Sequence, residues 1–247
     1  MTDAALKTRE SAASTRSLLE VRGLQGWYGE SHILHGVDFD VKPGEVVTLL
    51  GRNGAGKTTT MKAIMGILSK RSGSVAYEGN ETISLPARAI ARLGIALCPE
   101  ERGIFSSLSV EENLMLPPKV LEGGMTVERI FELFPNIKER LTSQGTKLSG
   151  GEQQMLAIGR ILRTGAKMLL LDEPTEGLAP VIIQQIGHTI AQLKREGFTI
   201  VLVEQNFRFA SSVADRHYVM EQGRIVDMIP NAELDANIDK LHAYLGV

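Results

Sequence analysis

The sequence predicts an α/β domain: a mostly parallel sheet flanked by helices, with short strands on the N-terminal side and a helix-rich stretch mid-chain. Three observations carry that prediction. A glycine-rich loop, GRNGAGKT from Gly51 to Thr58, separates an apolar run from a helically spaced one. Two more short apolar runs, 167–171 and 199–203, are continuous rather than alternating, as strands buried on both faces are. Between Glu101 and about Lys147 the apolar spacing becomes helical.

From Leu18 to about Tyr77 the chain reads as short strands with one helix, punctuated by Glu78-Gly79. Within it, Glu45 to Leu50 is a buried-strand run opened by Pro43-Gly44. Gly51, Gly54 and Gly56 let the backbone curl with its N–H groups turned inward. Met61, Ile64, Met65 and Leu68 then recur at helical spacing. The loop therefore sits between a strand and a helix N-terminus, which attracts anions and is the context a P-loop needs. The expected nucleotide-binding set is Gly51, Arg52, Asn53, Gly54, Ala55, Gly56, Lys57, Thr58 and Thr59. Lys57 is expected to reach the β- and γ-phosphates of ATP, and the Thr58 hydroxyl to bind Mg²⁺.

Ser109-Val-Glu-Glu112 is a capping box that opens a helix in the lobe, and Pro117-Pro118 and Gly123-Gly124 mark loops. Ser149-Gly150-Gly151-Glu152 is a second capping box, ahead of Met155, Leu156, Gly159 and Leu162 on one helix face. Two glycines in a first helical turn cost about 1 kcal/mol each against alanine. That cost makes sense if a phosphate must come close, giving a second anion site about a hundred residues from the first. Lys167 to Leu171 is a strand ended by Asp172-Glu173. Acids at the C-terminal end of a parallel strand fall at the usual ligand crevice. Asp172 is expected to hold Mg²⁺ through water, and Glu173 to polarise the attacking water. After Pro180, Ile182, Ile186, Ile190 and Leu193 form a helix ending at Gly197. Thr199 to Val203 is another strand, and Tyr218 to Val226 reads as a β-hairpin turning at Gln222-Gly223.

With 29 acids against 27 bases in 247 residues, the net charge is −2, and nucleic acid is not expected as a main partner. The single cysteine, Cys98, rules out an internal disulfide and suits a reducing cytoplasm; its place at a strand end reads as packing. The five histidines show no metal-ligand spacing. No apolar run approaches the roughly 20 residues of a membrane span, and no signal peptide is visible. Residues 1–17, rich in Ala, Ser and Thr, are expected to form a loose tail, and 18–247 one domain.

Over nearly its whole length the chain resembles the ATP-binding subunits of ABC transporters. The matching residues are Tyr28-Gly29, GRNGAGKTTT, CPEERGIF from Cys98, LSVEENL from Leu108, LSGGEQQ from Leu148, LDEPTEGLAP from Leu171, VEQN from Val203 and the terminal AYLGV. PEER, EGLAP and EQN make the resemblance closest to the smaller (LivF-type) ATPase of branched-chain amino acid importers. The resemblance implies a RecA-like core, an N-terminal antiparallel β subdomain and a helical signature lobe over about 101–160. It implies that Ser149, Gly150, Gly151 and Glu152 meet the ATP of a partner subunit in a head-to-tail dimer. Tyr28 would stack on adenine, with Trp27 beside it as a competitor for that place. Glu100 stands where most relatives carry a glutamine that senses Mg²⁺ and the γ-phosphate, and is a further candidate metal contact. Gln205 stands at the catalytic position where most carry a switch histidine.

The partners so implied are a second ATPase subunit in a heterodimer, two transmembrane permease subunits and, indirectly, a periplasmic or extracellular solute-binding protein. The implied location is peripheral, on the cytoplasmic face of the inner or plasma membrane. Urea and short-amide importers look similar, and soluble ABC proteins of translation or iron–sulfur assembly share the cassette. Translation-type members carry two cassettes per chain, and small-molecule P-loop kinases lack LSGGEQQ.

Overall fold

A computed structural model describes residues 16–246. The tail expected over 1–17 lies, except for its last two residues, outside the described residues. The N-terminal β region forms first: β1 (Leu19–Tyr28) and β2 (Ser31–Val41) pair antiparallel, and Tyr28 faces Ser31 at the turn. At 10 and 11 residues both exceed the short strands expected. The register shifts that interrupt them let one face keep burying Leu19, Val21, Leu24, Leu34 and Val37. β4 (Lys70–Tyr77) and β5 (Asn80–Glu81) complete a four-stranded sheet in the order β2-β1-β4-β5.

The second sheet has six strands in the order β10-β9-β3-β8-β7-β6. β3 (Val46–Leu50), β7 (Met168–Asp172) and β8 (Thr199–Glu204) are buried at every residue, as their mostly apolar runs predict. β6 (Ile95–Cys98) pairs parallel with β7, and β9 (Arg216–Glu221) with β3. β10 (Arg224–Pro230) returns antiparallel beside β9, the expected hairpin. The register places Leu50 opposite Glu204, Asp172 opposite Val203, and Cys98 opposite Leu171. Four strands thus end level, and the loops that follow them gather at one edge.

Helix α1 (Lys57–Ile64) follows β3, and α2 (Ala87–Arg92) precedes β6. Between β6 and β7 lie α3 (Val110–Met115), α4 (Val127–Leu133), α5 (Pro135–Lys138) and α6 (Gly150–Leu162), the inserted helical region expected. Both capping boxes form, at Ser109 and at Ser149. Gly159 of α6 is what lets the lobe close: a Cβ there would stand 3.0 Å from Ile130 and 3.2 Å from Leu114. Helix α7 (Pro180–Arg195) ends two residues before Gly197, whose φ of 83° suits glycine. Helices α8 (Phe207–Val213) and α9 (Ile238–Leu245) close the fold.

The core is layered by strand alternation. Leu169 and Leu171 of β7 join one cluster with Leu114, Ile130, Phe134, Ile137, Met155 and Leu156, so lobe and sheet share a core. Met168 and Leu170 face the other cluster, with Leu19, Val21, Phe39, Leu49 and Met61. Arg216 pins the two sheets together, with Nε 2.6 Å from Glu45 and Nη2 3.3 Å from Asp40.

Candidate nucleotide site

The cavity at the level strand ends has a volume of about 410 Å³. It is lined by Tyr28, Ile33, Asn53, Gly54, Gly56, Lys57, Thr58, Thr59, Glu100, Glu173, Glu176 and Gln205. Ten of these are residues singled out from the sequence, drawn from five separate segments. Ile33, Glu176 and the pair behind Glu173 described below were not among them. Ile33 gives no signal beyond its place in a hairpin, and Glu176 lay unassigned inside the TEGLAP run.

Gly56 caps α1 at a φ of 107°, and a Cβ there would meet the Met220 Cε at 2.9 Å. The positive φ is what favours glycine here, since the Met220 side-chain end could move aside. Lys57 is 4% exposed, and its Nζ donates to the carbonyls of Gly51 (2.8 Å) and Arg52 (3.2 Å). The same ammonium lies 3.5 Å from the Glu173 carboxylate. Gly51, Ala55 and Asp172 are buried outside the lining, and Arg52, also outside it, is exposed with its guanidinium beside Gly246. The Ala55 carbonyl accepts from the Gly223 N–H at 2.9 Å, which ties the loop to the β9–β10 turn.

Tyr28, at the end of β1, is 48% exposed and borders the cavity. Trp27 is committed elsewhere. It stacks on His32 with ring centroids 4.4 Å apart, and Lys70 lies over its ring. Strand alternation decides between them, since consecutive side chains take opposite faces.

The Thr58 hydroxyl donates to Asp172 Oδ1 at 3.1 Å. Burial pushes the Asp172 carboxyl up to about 6, helped by the negative charges of Glu173 and Glu100 and opposed by the Thr58 bond. Glu100 is raised as well, by burial first and then by Glu173, Glu176 and Glu101. A hydroxyl and a carboxylate side by side amid surplus negative charge fit a divalent cation that draws its other ligands from phosphate and water. No group of three or more His, Cys, Asp or Glu able to hold a metal occurs among the described residues. A cation here would therefore depend on the nucleotide for its remaining ligands.

Glu173 holds a φ of 47°, in the left-handed region that costs a non-glycine residue about 1–3 kcal/mol and is found at functional sites. Its N–H donates to the Val203 carbonyl at 3.0 Å. Gln205 Nε2 donates to Glu173 Oε2 at 2.7 Å, so Lys57 and Gln205 flank the two carboxylate oxygens.

Ser149, Gly150, Gly151 and Glu152 do not line this cavity. Glu152 Oε2 accepts from the Ser149 N–H at 2.7 Å, and Arg140 adds a contact at 3.2 Å. Gly151 has a reason to be glycine inside its own chain: a Cβ would come 2.9 Å from Ile182. At Gly150 the nearest atoms belong to the Arg102 guanidinium, 3.3 Å away. The glycine pair is therefore explained in part by packing, which the sequence could not show. Cys98 is buried, with its thiol pushed up to about 12 by burial, and packs as expected.

A glycine-rich loop at a helix N-terminus, a lysine inside it and acids at the neighbouring strand ends define a P-loop nucleotide-binding domain. The family model described as "ABC transporter" matches residues 34–176. The chain is 49% identical over 223 residues to the high-affinity branched-chain amino acid transport ATP-binding protein BraG of Pseudomonas aeruginosa, covering 89% of this chain and 96% of that one. It is 37% identical over 212 residues to the probable branched-chain amino acid transport ATP-binding protein LivF of Archaeoglobus fulgidus, covering 84% and 90%. The crystal structure of the ADP conformation of MJ1267, an ATP-binding cassette of an ABC transporter, superposes with a TM-score of 0.78 at 25% identity, covering 94% of this chain and all of that one. The chain belongs to the ABC transporter ATP-binding proteins and is an ATPase of that family.

Proposed function

We propose that this chain hydrolyses ATP to drive an importer of branched-chain amino acids, docked on the cytoplasmic face of the membrane. The observation that carries the solute class is the likeness to BraG, which runs nearly end to end at 49% identity. In this reading Tyr28 stacks on adenine, and the loop N–H groups from Gly51 to Thr59 cradle the phosphates. Lys57 exchanges the Gly51 and Arg52 carbonyls for β- and γ-phosphate oxygens. Thr58 and Asp172 would hold Mg²⁺, with Glu100 a further candidate contact, and the ion would neutralise phosphate charge. Glu173 takes the proton of the attacking water, and Gln205 orients its carboxylate.

Ser149 to Glu152 face the ATP of a second, different ATPase subunit, which fits their absence from this chain's own cavity. Two permeases complete the transporter, fed by a solute-binding protein. No helix among the described residues is long and apolar enough to cross a membrane, so the chain needs such partners to act there. The exposed Phe105, Met115, Leu116 and Leu121 of the lobe supply an apolar surface for a permease.

The test is uptake of labelled leucine, isoleucine and valine by cells lacking this chain. Wild type should restore it and Lys57→Ala should not. Restored uptake of urea or a short amide, with none of leucine, would replace the proposed solute.

A further inference from the structure

Glu204 is the last residue of β8 and is 2% exposed. The phosphate loop, the metal contacts and the attacking base make no use of it. A buried carboxylate is costly unless fully hydrogen-bonded, and an apolar side chain would fill this space at lower cost. Its partners are specific. The Thr175 hydroxyl donates to Glu204 Oε1 at 2.7 Å, and Thr175 is itself 5% exposed. The Asn206 N–H donates to Oε2 at 3.3 Å.

These contacts enclose the reacting pair. Thr175 lies two residues after Glu173, and Glu204 lies one residue before Gln205. Gln205 donates to Glu173 at 2.7 Å on the cavity side, and Thr175 donates to Glu204 at 2.7 Å on the buried side. Two parallel side-chain bonds thus join the loop after β7 to the turn after β8. Gln205 is held from both flanks, since Asn206 caps α8 by accepting from the Phe209 N–H at 3.1 Å. The loop that Thr175 anchors is the one that keeps Glu173 at its positive φ of 47°.

We propose that Glu204 and Thr175 are positioning residues for ATP hydrolysis: their buried hydrogen bond fixes the Glu173 carboxylate and the Gln205 amide in register. This rests on Glu173 being the base, as proposed above. Neither residue touches the nucleotide cavity, so the brace acts on turnover and leaves ATP binding alone. A misplacement of about 1 Å costs on the order of 10²-fold in rate.

The experiment measures kcat, KM and ATP affinity in the transporter captured through a tag on this chain. The variants are Thr175→Val, Thr175→Ser, Glu204→Gln, Gln205→Ala, Glu173→Gln and the double Thr175→Val/Gln205→Ala. Thr175→Val keeps the volume and removes the donor. It should lower kcat by about tenfold or more with ATP affinity within about twofold, and Thr175→Ser should restore kcat. Glu204→Gln keeps an acceptor and should fall between Thr175→Val and wild type. The double variant should lose less than the product of its single losses, because both bonds serve one geometry. A Thr175→Val kcat near wild type beside a slow Glu173→Gln overturns the brace alone. So does full additivity in the double variant, or an equal loss in Thr175→Ser. A Glu173→Gln kcat near wild type overturns the base assignment and the brace with it.

Discussion

Lys57 is nearly enclosed, and what it holds are carbonyls of its own loop. A phosphate replaces them with a stronger, charge-assisted contact. Lys57→Ala should therefore lose ATP affinity, read by titration with a fluorescent ATP analogue. Glu173→Gln keeps size and hydrogen-bonding reach but removes the base. It should bind ATP normally and hydrolyse it about 10²–10⁴-fold more slowly; a rate within about twofold of wild type would refute its assignment. Glu100 sits among Glu173, Glu176 and Glu101, and its carboxyl is raised by burial and by those charges. Glu100→Gln removes a repelled charge and installs the glutamine that the family resemblance implies at this position. Its turnover in the assembled transporter should stay within about tenfold of wild type; a larger loss would show that the carboxylate itself is required.

At the scale of elements, a buried carboxyl and a closely packed glycine make two further predictions. Burial raises the Glu204 carboxyl to about 7, with the Thr175 and Asn206 bonds opposing the rise. A carboxyl whose pKa is higher in the folded state binds more protons folded than unfolded. Its contribution to stability therefore falls as pH rises from the ordinary carboxylate range toward about 7. Glu204→Gln has no such titration, so its melting temperature should gain on wild type between about pH 5 and pH 8. A constant difference across that range would contradict the buried titration. Gly151→Ala should destabilise by about 1–3 kcal/mol through overpacking against Ile182. Combining it with Ile182→Ala should recover part of that loss, and an unchanged melting temperature in Gly151→Ala would show that packing does not explain the glycine.

Much of this architecture was legible because its signals are local. Mostly apolar runs marked β3, β7 and β8, and the two capping boxes marked α3 and α6. The P-loop announced itself by glycine spacing. What stayed hidden depends on distant partners. The Arg216 clamp on Asp40 and Glu45 joins residues more than 170 positions apart, and charged residues that far apart carry no mutual pattern. Thr175 and Glu204 are 29 positions apart, and VEQN drew attention to its glutamine rather than its glutamate. The choice of Tyr28 over Trp27 needed the pleat of β1 to decide it.

On the scale of the whole molecule, the N-terminus of α1 faces the chain's own cavity and that of α6 does not. The α6 end, capped by Ser149 and Glu152, is the one we propose meets a nucleotide held by another subunit. Gln205 stands where the family resemblance implies a switch histidine, so on that expectation two copies of this chain would carry two altered sites. A partner with histidine there restores one site of the usual kind, which is the basis for expecting a heterodimer. Phe105, Met115 and Leu116 are exposed on the lobe that follows Glu100, and it is there that the proposed permease contact is expected.

The central claim is that this chain is one half of a two-subunit ATP engine. The most direct measurement is ATP turnover and leucine uptake by proteoliposomes containing this chain and the permeases, with and without the second ATPase subunit. The chain and permeases alone should bind ATP but turn it over poorly and import nothing. Adding the second ATPase should restore both activities. Full turnover and uptake without that subunit would contradict the claim.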